Sequence, residues 1–440
     1  MTNTVYAPFA ETSGTDFEHS VLFADLKNSA YEHLLNRIEE LGAEFGRWSP
    51  ATIGQLVVTE VDNYIRRHSV PVNEQEAAVV ARALTRELTG LGPLQPLLED
   101  ARVEDILING YNNVYVSRGG MLQRETVHFK DNEHVLRIVR RILAPLGRRL
   151  DESSPMVDAR LPDGGRINVI IEPLAIDGPT VSIRKFRKDP LTPAELVGLG
   201  TFSNDICRIL EMAVQARCNI LVSGGTSSGK TSLLNALANF IPSKERIITI
   251  EDTAELSLNH NHVVRLESRP GGFDGSGHVS IRELLSNSLR MRPDRIIVGE
   301  VRGGEILDLL QAMNTGHDGS MGTIHASSPR ECLYRAEMLA GFAGFQGSEV
   351  SLRRQIANAV DFIVQIGRLS NGRRRLISLT EVTGMTDNMI SLQELYRYEA
   401  QIGPDGKEVD HWVTQGISPH SPKLLNWWRM QQQMAQGGTP

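Results

Sequence analysis

The sequence predicts an α/β protein: a mostly parallel sheet covered by helices, preceded by a smaller α+β domain and a helical leader. Three observations carry this. Beyond about residue 200, short apolar runs (CNILVSG, RIITIED, HVVRLES, RIIVGE, GSMGTIHA, DFIVQIG) alternate with Gly/Ser loops and helical stretches. That is the rhythm of buried parallel strands with crossover helices. Between about 97 and 187 the runs VEDILING, NNVYVSRGG, MLQRETVHF, RINVIIEPLA and PTVSIRKF are separated by turn signals and flank one helical stretch. Asp131 or Asn132 offers that helix an N-cap. Before them, YEHLLNRIEELGAEF, IGQLVVTEVDNYIRR and EQEAAVVARALTRELTGL carry apolar residues at helical spacing, stopped by Gly90, Gly92 and Pro93.

The expected organisation follows. A disordered tail occupies 1–27, a helical bundle 28–96, the α+β domain 97–187, a linker 188–200, the α/β domain 201–400 and a polar tail 401–440. Pro190 and Pro193 stiffen the linker. A chain of 440 residues is too long for one compact core. Its 40% apolar and 22% charged residues are ordinary for a globular protein, and a net charge of −7 gives no global reason to expect nucleic acid. The opening lacks a basic stretch followed by an apolar core, and no apolar run reaches the roughly 20 residues of a membrane span. Cys207, Cys218 and Cys332 lack CxxC spacing, so reduced thiols are expected and structural zinc is not.

The chemistry begins where NILVSG runs into GGTSSGKT and then the helical SLLNALANF. Gly224, Gly229, Lys230 and Thr231 match G-x-x-x-x-G-K-[ST]. Glycines let the loop Gly224, Gly225, Thr226, Ser227, Ser228, Gly229 wrap one anion with consecutive N–H groups, and the following helix, from Lys230 through Thr231 and Ser232, adds its dipole. Lys230 would neutralise β/γ oxygens and the Thr231 hydroxyl would hold Mg²⁺. ATP and Mg²⁺ are therefore the expected ligands. RIITI ends in EDTAE, which puts Glu251, Asp252 and Glu255 at a strand's carboxyl end, and RIIV ends in GE, which puts Glu300 at another. Two acidic strand ends beside one phosphate loop suit a division between holding Mg²⁺ and activating water. Their allocation stays open. In TGHDGSMGTIHAS, His317 and His325 alone would suggest zinc, but no clear third ligand accompanies them.

GGTSSGKT, TIEDTAEL, LRMRPDRIIVGEVRGGE and TGHDGSMGTIHA, in this order, resemble the Walker A, Asp, Walker B and His boxes of the secretion and pilus-assembly ATPases. GPLQPLLEDARVEDILINGYNNVYVSRGG and DARLPDGGRINVIIEPLA resemble the N-terminal domain of the branch serving type IV secretion and the tight-adherence (Flp) pilus, and the helical leader favours the pilus. The resemblance implies a RecA-like motor domain, a PAS-like N-terminal domain, and a homohexamer at the cytoplasmic face of the inner membrane. It implies that hydrolysis rotates one domain against the other and moves inner-membrane platform proteins. It implies Glu255 as general base, Glu300 assisting Mg²⁺ and water, and His325 reaching toward the γ-phosphate. Glu251, Asp252 and His317 support them. Arg166 and Arg184, with Arg160 as a third candidate, match arginines that family members point at phosphate.

Two alternatives stand beside this. A P-loop phosphotransferase would need an acceptor-binding lid, and the motor region has no segment of that kind. A nucleic-acid translocase is disfavoured by the acidic charge and the lack of an aromatic–basic stripe. Arg373 to Arg375 read as a solvated hairpin turn, and Trp427 and Trp428 as residues docking on the core.

Overall fold

The computed structural model describes residues 17, 20–41, 50–186, 190–269, 277–402, 408–416 and 418–435. They form two compact units that divide between Lys185 and Phe186, the turns 119–121 and 162–164 apart.

In the first unit, helices α1 (Val21–Leu41), α2 (Pro50–His68) and α3 (Glu74–Thr89) pack around Leu34, Val57, Val61, Val80 and Leu84. Asn73 and Glu76 start α3 reciprocally: each side chain accepts the other's backbone N–H at 2.9 Å. Helix α1 begins at Val21, inside the stretch expected to be tail, because Leu26, Ala30 and Leu34 place apolar groups at helical spacing against α2 and α3. The rest of 1–27, apart from Phe17 and Ser20, lies outside the described residues.

A short helix α4 (Gln95–Glu99) leads into strands β1 (Val103–Asn109), β2 (Val114–Arg118) and β3 (Met121–Arg124), then helix α5 (Asn132–Leu143) and strands β4 (Met156–Arg160), β5 (Arg166–Ile170) and β6 (Thr180–Arg184). The sheet order is β3-β2-β1-β6-β5-β4. Asp131, not Asn132, caps α5, accepting the His134 N–H at 2.7 Å. Val135, Ile138, Val139 and Leu143 on its inner face meet the alternate residues Ile106, Ile108, Val114, Val116, Ile167, Val169, Val181 and Ile183. β4 was not expected: MVDAR is polar at alternate positions and carries only one fully inward apolar residue, Ala159.

The second unit opens with α6 (Pro193–Gly198) inside the expected linker, where a Thr192–Glu195 capping box starts the helix and Leu196 is buried. Residues 188 and 189 of that linker lie outside the described set. The elements then run α7 (Asn204–Gln215), β7 (Ile220–Gly224), α8 (Lys230–Ala238), β8 (Ile247–Glu251), β9 (Val263–Glu267), α9 (Ile281–Ser288), β10 (Arg295–Val301), α10 (Glu305–Asn314), β11 (Met321–His325), α11 (Pro329–Phe342), α12 (Glu349–Ala359), β12 (Phe362–Arg368), β13 (Arg374–Thr386), β14 (Met389–Ile402), β15 (Glu408–Thr414) and α13 (Pro422–Ala435). They build a nine-stranded sheet ordered β15-β14-β13-β12-β7-β11-β10-β8-β9. From β12 to β9 every pairing is parallel, and β13, β14 and β15 extend the sheet antiparallel. Successive residues face opposite layers. Ile220, Val222, Ile297 and Val364 join one core with α7 and α8, while Leu221, Ile248, Ile296 and Ile363 join the other with α10, α11 and α12.

The stretch beyond 400 is therefore not a plain polar tail. Trp412 donates its indole N–H to the Leu376 carbonyl at 2.9 Å, which fixes β15 to the sheet. Leu424 on α13 is buried against the core, whereas Trp427 is half-buried and Trp428 is 50% exposed, so docking falls to leucine more than to the tryptophan pair.

Candidate active site

β7 is the central strand from which the phosphate loop springs. Its carboxyl end lies between those of β11 and β12, with Gly224 opposite His325 on one side and Ile366 on the other. A Cβ on Gly224 would come within 2.4 Å of the Ile366 carbonyl and 2.5 Å of the Ser228 hydroxyl, so only glycine lets the chain enter the loop here. Ser227 (φ 55°) and Gly229 (φ 99°) take left-handed conformations that curl the loop back before α8. The Ser228 hydroxyl braces it from within, donating to the Gly225 carbonyl at 2.8 Å. Lys230 folds over the same loop, its Nζ donating to the Gly224 and Gly225 carbonyls at 3.1 and 2.9 Å. Burial lowers the Lys230 pKa against the opposing pull of Glu300. An anion arriving in the loop would offer that ammonium better partners than backbone carbonyls.

The acidic strand ends stand at the same edge of the sheet, on β8 and β10, which pair directly. Glu251 is 2% exposed; its Oε1 accepts the N–H groups of Glu255 and Leu256 at 2.9 and 2.8 Å, and its Oε2 is buried without a hydrogen-bond partner among the described residues. Burial outweighs those donors and pushes its pKa up to about 7. Gly299 makes room for it, since a Cβ there would lie 2.7 Å from the Glu251 Cγ. Glu251 thus shapes the loop that carries Glu255, a firmer part than the supporting one expected. Asp252 accepts the Ser268 hydroxyl at 2.8 Å.

Glu300, at 27% side-chain exposure, is bound by Arg302 at 2.5 Å. Arg302 also approaches Asp252 to 3.7 Å and feels Glu255, and its pKa rises chiefly through the Glu300 hydrogen bond. One guanidinium therefore gathers three candidate carboxylates. Arg302 is a residue that reading the sequence missed; EVRGGE carried it two positions beyond Glu300, but nothing in the spacing marks it as a partner of the carboxylates. Thr231 opens α8 beside Lys230. A hydroxyl and carboxylate oxygens are the donor set a hard cation such as Mg²⁺ takes, with the remaining positions left to phosphate and water. Among the described residues no group of three or more His, Cys, Asp or Glu side chains is arranged to hold a metal by itself.

The two histidines part company. His325 ends β11, exposed, at the carboxyl edge beside Gly224. His317 lies before β11 at the opposite edge, its N–H on the Ala312 carbonyl and its own carbonyl accepting the Ser320 hydroxyl at 2.7 Å. The length of β11, more than about 13 Å, separates them, which removes any shared metal.

In the first unit, Arg160 pairs with Arg166, Arg166 with Arg184, and Arg184 with Asp105, forming one row across β4, β5, β6 and β1. Arg184 donates to Asp105 at 3.2 Å. Nothing in the sequence marked them as neighbours, because Arg160 and Arg184 are brought together only by strand pairing.

A family model described as type II/IV secretion system protein matches residues 87–397. The chain belongs to that family. As such it is an ATP hydrolase of the secretion-system ATPases, which establishes ATP as its ligand. It is 36% identical over 351 residues to a Mycobacterium tuberculosis protein named for conjugal transfer, covering 75% of this chain and 99% of the relative. It is 32% identical over 321 residues to the type IV secretion system protein VirB11 of Bartonella henselae, covering 64% of this chain and 89% of the other. The crystal structure of the VirB11 ATPase from Brucella suis aligns at 29% identity and TM-score 0.37, covering 67% of this secretion ATPase and 96% of that chain. The Mycobacterium and Bartonella relatives are named for conjugal transfer and type IV secretion, so it is the secretion-system reading, rather than the tight-adherence pilus favoured from the leader, that they support.

Proposed function

We propose that this secretion ATPase is the motor of a conjugation- or type IV secretion-type export apparatus, and that the carboxyl edge of β7, β8, β10 and β11 is where it hydrolyses ATP. The observation that carries this is the convergence at one sheet edge of the glycine-framed loop, two acidic strand ends and His325. Lys230 and the loop N–H groups bind the β- and γ-phosphates. Mg²⁺, held through Thr231 and Glu300, supplies charge neutralisation when nucleotide is bound. Glu255 orients and deprotonates the attacking water, its backbone anchored by Glu251. Arg302 keeps Glu300 in place until nucleotide draws it away. His325 reports the γ-phosphate to β11. The row Arg160, Arg166 and Arg184 is a further set of phosphate-binding residues, and hydrolysis is coupled to rotation of one domain against the other.

The RecA-like and PAS-like labels, a homohexameric ring and a site of action at the cytoplasmic face of the inner membrane belong to the same proposal. Among the described residues no helix is long and apolar enough to cross a membrane, which is consistent with recruitment by platform proteins. Phosphate release that needs no acceptor and is unmoved by DNA, from particles of about six subunits in light scattering with a non-hydrolysable ATP analogue, is the expected result. A strict monomer, or turnover driven by DNA, would overturn it. The three-helix leader Val21–Thr89 favours a second reading, a tight-adherence pilus assembly motor. Co-purification with pilus rather than secretion platform proteins would select it.

A further inference from the structure

Arg374 opens β13, two strands from β7, yet it reaches the phosphate loop. Its Nε–H donates to the Ser227 carbonyl at 3.3 Å. Its stem fills the space over Gly229, where an added Cβ would meet the Arg374 Cδ at 3.1 Å. The strand that delivers it is fixed on both sides. Arg375 is 3% exposed, bound to Asp410 at 2.7 Å and to the Leu199 carbonyl at 3.2 Å, and the Leu376 N–H is held by the Thr201 carbonyl at 2.8 Å. Of the RRR run expected as a solvated hairpin turn, Arg373 is exposed in the turn between β12 and β13, whereas Arg374 contacts the loop and Arg375 is a buried anchor. Sequence could not show it, because β13 reaches the loop only through the antiparallel addition to β12.

The physics of a trans peptide gives the contact a purpose. The carbonyl of Ser227 and the N–H of Ser228 belong to one planar unit and point in opposite directions. A cation drawn onto the carbonyl therefore turns the N–H away from itself, to the side where a phosphate must lie for this loop to bind one. Ser227 needs such a hold, since a serine at φ 55° sits in a conformation that costs about 1 kcal/mol. We propose that Arg374 is a positioning residue of the phosphate loop, presetting the Ser227–Ser228 peptide for nucleotide. This rests on the reading that the loop from Gly224 to Thr231 takes the triphosphate.

The test compares Arg374→Met, Arg374→Lys and Lys230→Ala in the full chain, by Mg-ATP and Mg-ADP binding and by steady-state phosphate release. Arg374→Met should weaken both nucleotides about tenfold, the worth of one hydrogen bond from a charged donor, and raise KM to match. kcat at saturation should stay within about twofold and the nucleotide-free Tm should not move. Arg374→Lys should recover part of the affinity, and it carries the test if the Met variant fails to fold. Wild-type affinity in Arg374→Met, a loss of kcat without a change in KM, or a Tm loss that accounts for the weaker binding overturns the proposal. Lys230→Ala separates the two layers: if it binds ATP normally the loop is not the nucleotide site, whereas a non-binding Lys230→Ala beside an unaffected Arg374→Met removes only the role of Arg374.

Discussion

The two edges of the parallel sheet are built to opposite specifications. At the amino edge, Asn219 donates to the Met313 and Ala359 carbonyls and accepts the Gly319 and Ser320 N–H groups, while its own N–H goes to Asp361. Asp361 in turn shares Lys423 with Asp318. Arg295, 0% exposed, divides its guanidinium among Glu245 and the carbonyls of Val214 and Gly319. Most buried polar atoms there have a partner, the Nδ1 of His317 and the Oγ1 of Thr380, opposite Ile363 near the start of β12, being exceptions among the described residues. At the carboxyl edge, Glu251 Oε2 and Gln365 Oε1 are buried without hydrogen-bond partners, and Lys230 rests on carbonyls of its own loop. A buried polar group left open costs free energy that a scaffold has no reason to accept. The difference teaches where stability was given up for chemistry, and it predicts that mutations at the two edges fail differently.

The largest effect should come from the carboxyl edge and leave the fold alone. Lys230→Ala should cut phosphate release by more than about a hundredfold with the Tm unchanged, because its ammonium holds only carbonyls of its own loop. A matching fall in Tm would break the comparison. Glu255→Gln should keep ATP binding and lower turnover by about a hundredfold or more, as loss of a general base does. If Glu300→Gln alone stops turnover while Glu255→Gln stays active, the two roles are exchanged. The amino edge should answer in the other currency. Arg295→Met leaves the Val214 and Gly319 carbonyls unpaired and leaves Glu245 with Arg217 alone, so a loss of about 3 kcal/mol and a Tm fall near 10 °C are expected. KM for ATP in the folded fraction should stay put.

Most of this was legible in the sequence where chemistry and chain order coincide. GGTSSGKT, EDTAE and VGE each sit on one strand end, so residue type and periodicity reveal them together. The rest depends on pairing between distant segments. Arg374 becomes a site residue only when β13 sets it beside Ser227, and Arg302, a chain neighbour of Glu300, meets Asp252 only because β10 pairs with β8. The row Arg160, Arg166, Arg184 exists only as strand register. The helix in 193–198 reads as linker because of Pro190 and Pro193, and the strand and helix beyond 407 read as tail because polar residues dominate there. In each, one inward residue (Leu196, Trp412, Leu424) ties the segment down.

Glu251 tests the comparison through pH. Its folded pKa, about 7, lies above the ordinary 4.5, so between those values the folded state keeps a proton that the unfolded state has lost. Stability is therefore lost as pH rises from about 4.5 and the full cost, up to about 3 kcal/mol, is present above 7. Glu251→Gln keeps an oxygen for the N–H groups of Glu255 and Leu256 and removes that cost. The variant should be the more stable protein at pH 8, with no difference at pH 4, by thermal unfolding. A wild type equally stable at both ends would show that the carboxylate is not strained by its burial.

The smallest effect belongs to the link between the tail helix and the amino edge. Lys423 lies 2.7 Å from Asp318 and 2.8 Å from Asp361, with 29% of its side chain exposed. Burial holds the Asp361 pKa up even with this ammonium beside it, so removing the lysine should raise it further. A raised carboxyl is penalised as pH rises, which fixes the sign: Lys423→Met should cost little at pH 4 and about 1–2 kcal/mol at pH 8, a Tm fall of roughly 3–6 °C. Turnover per folded molecule should be unaffected, since Asp318 and His325 stand at opposite ends of β11. A variant that kept its Tm but turned over more slowly would mean that β11 transmits the state of one edge to the other. The helix beyond 421 would then belong to the motor's coupling and not only to its scaffold.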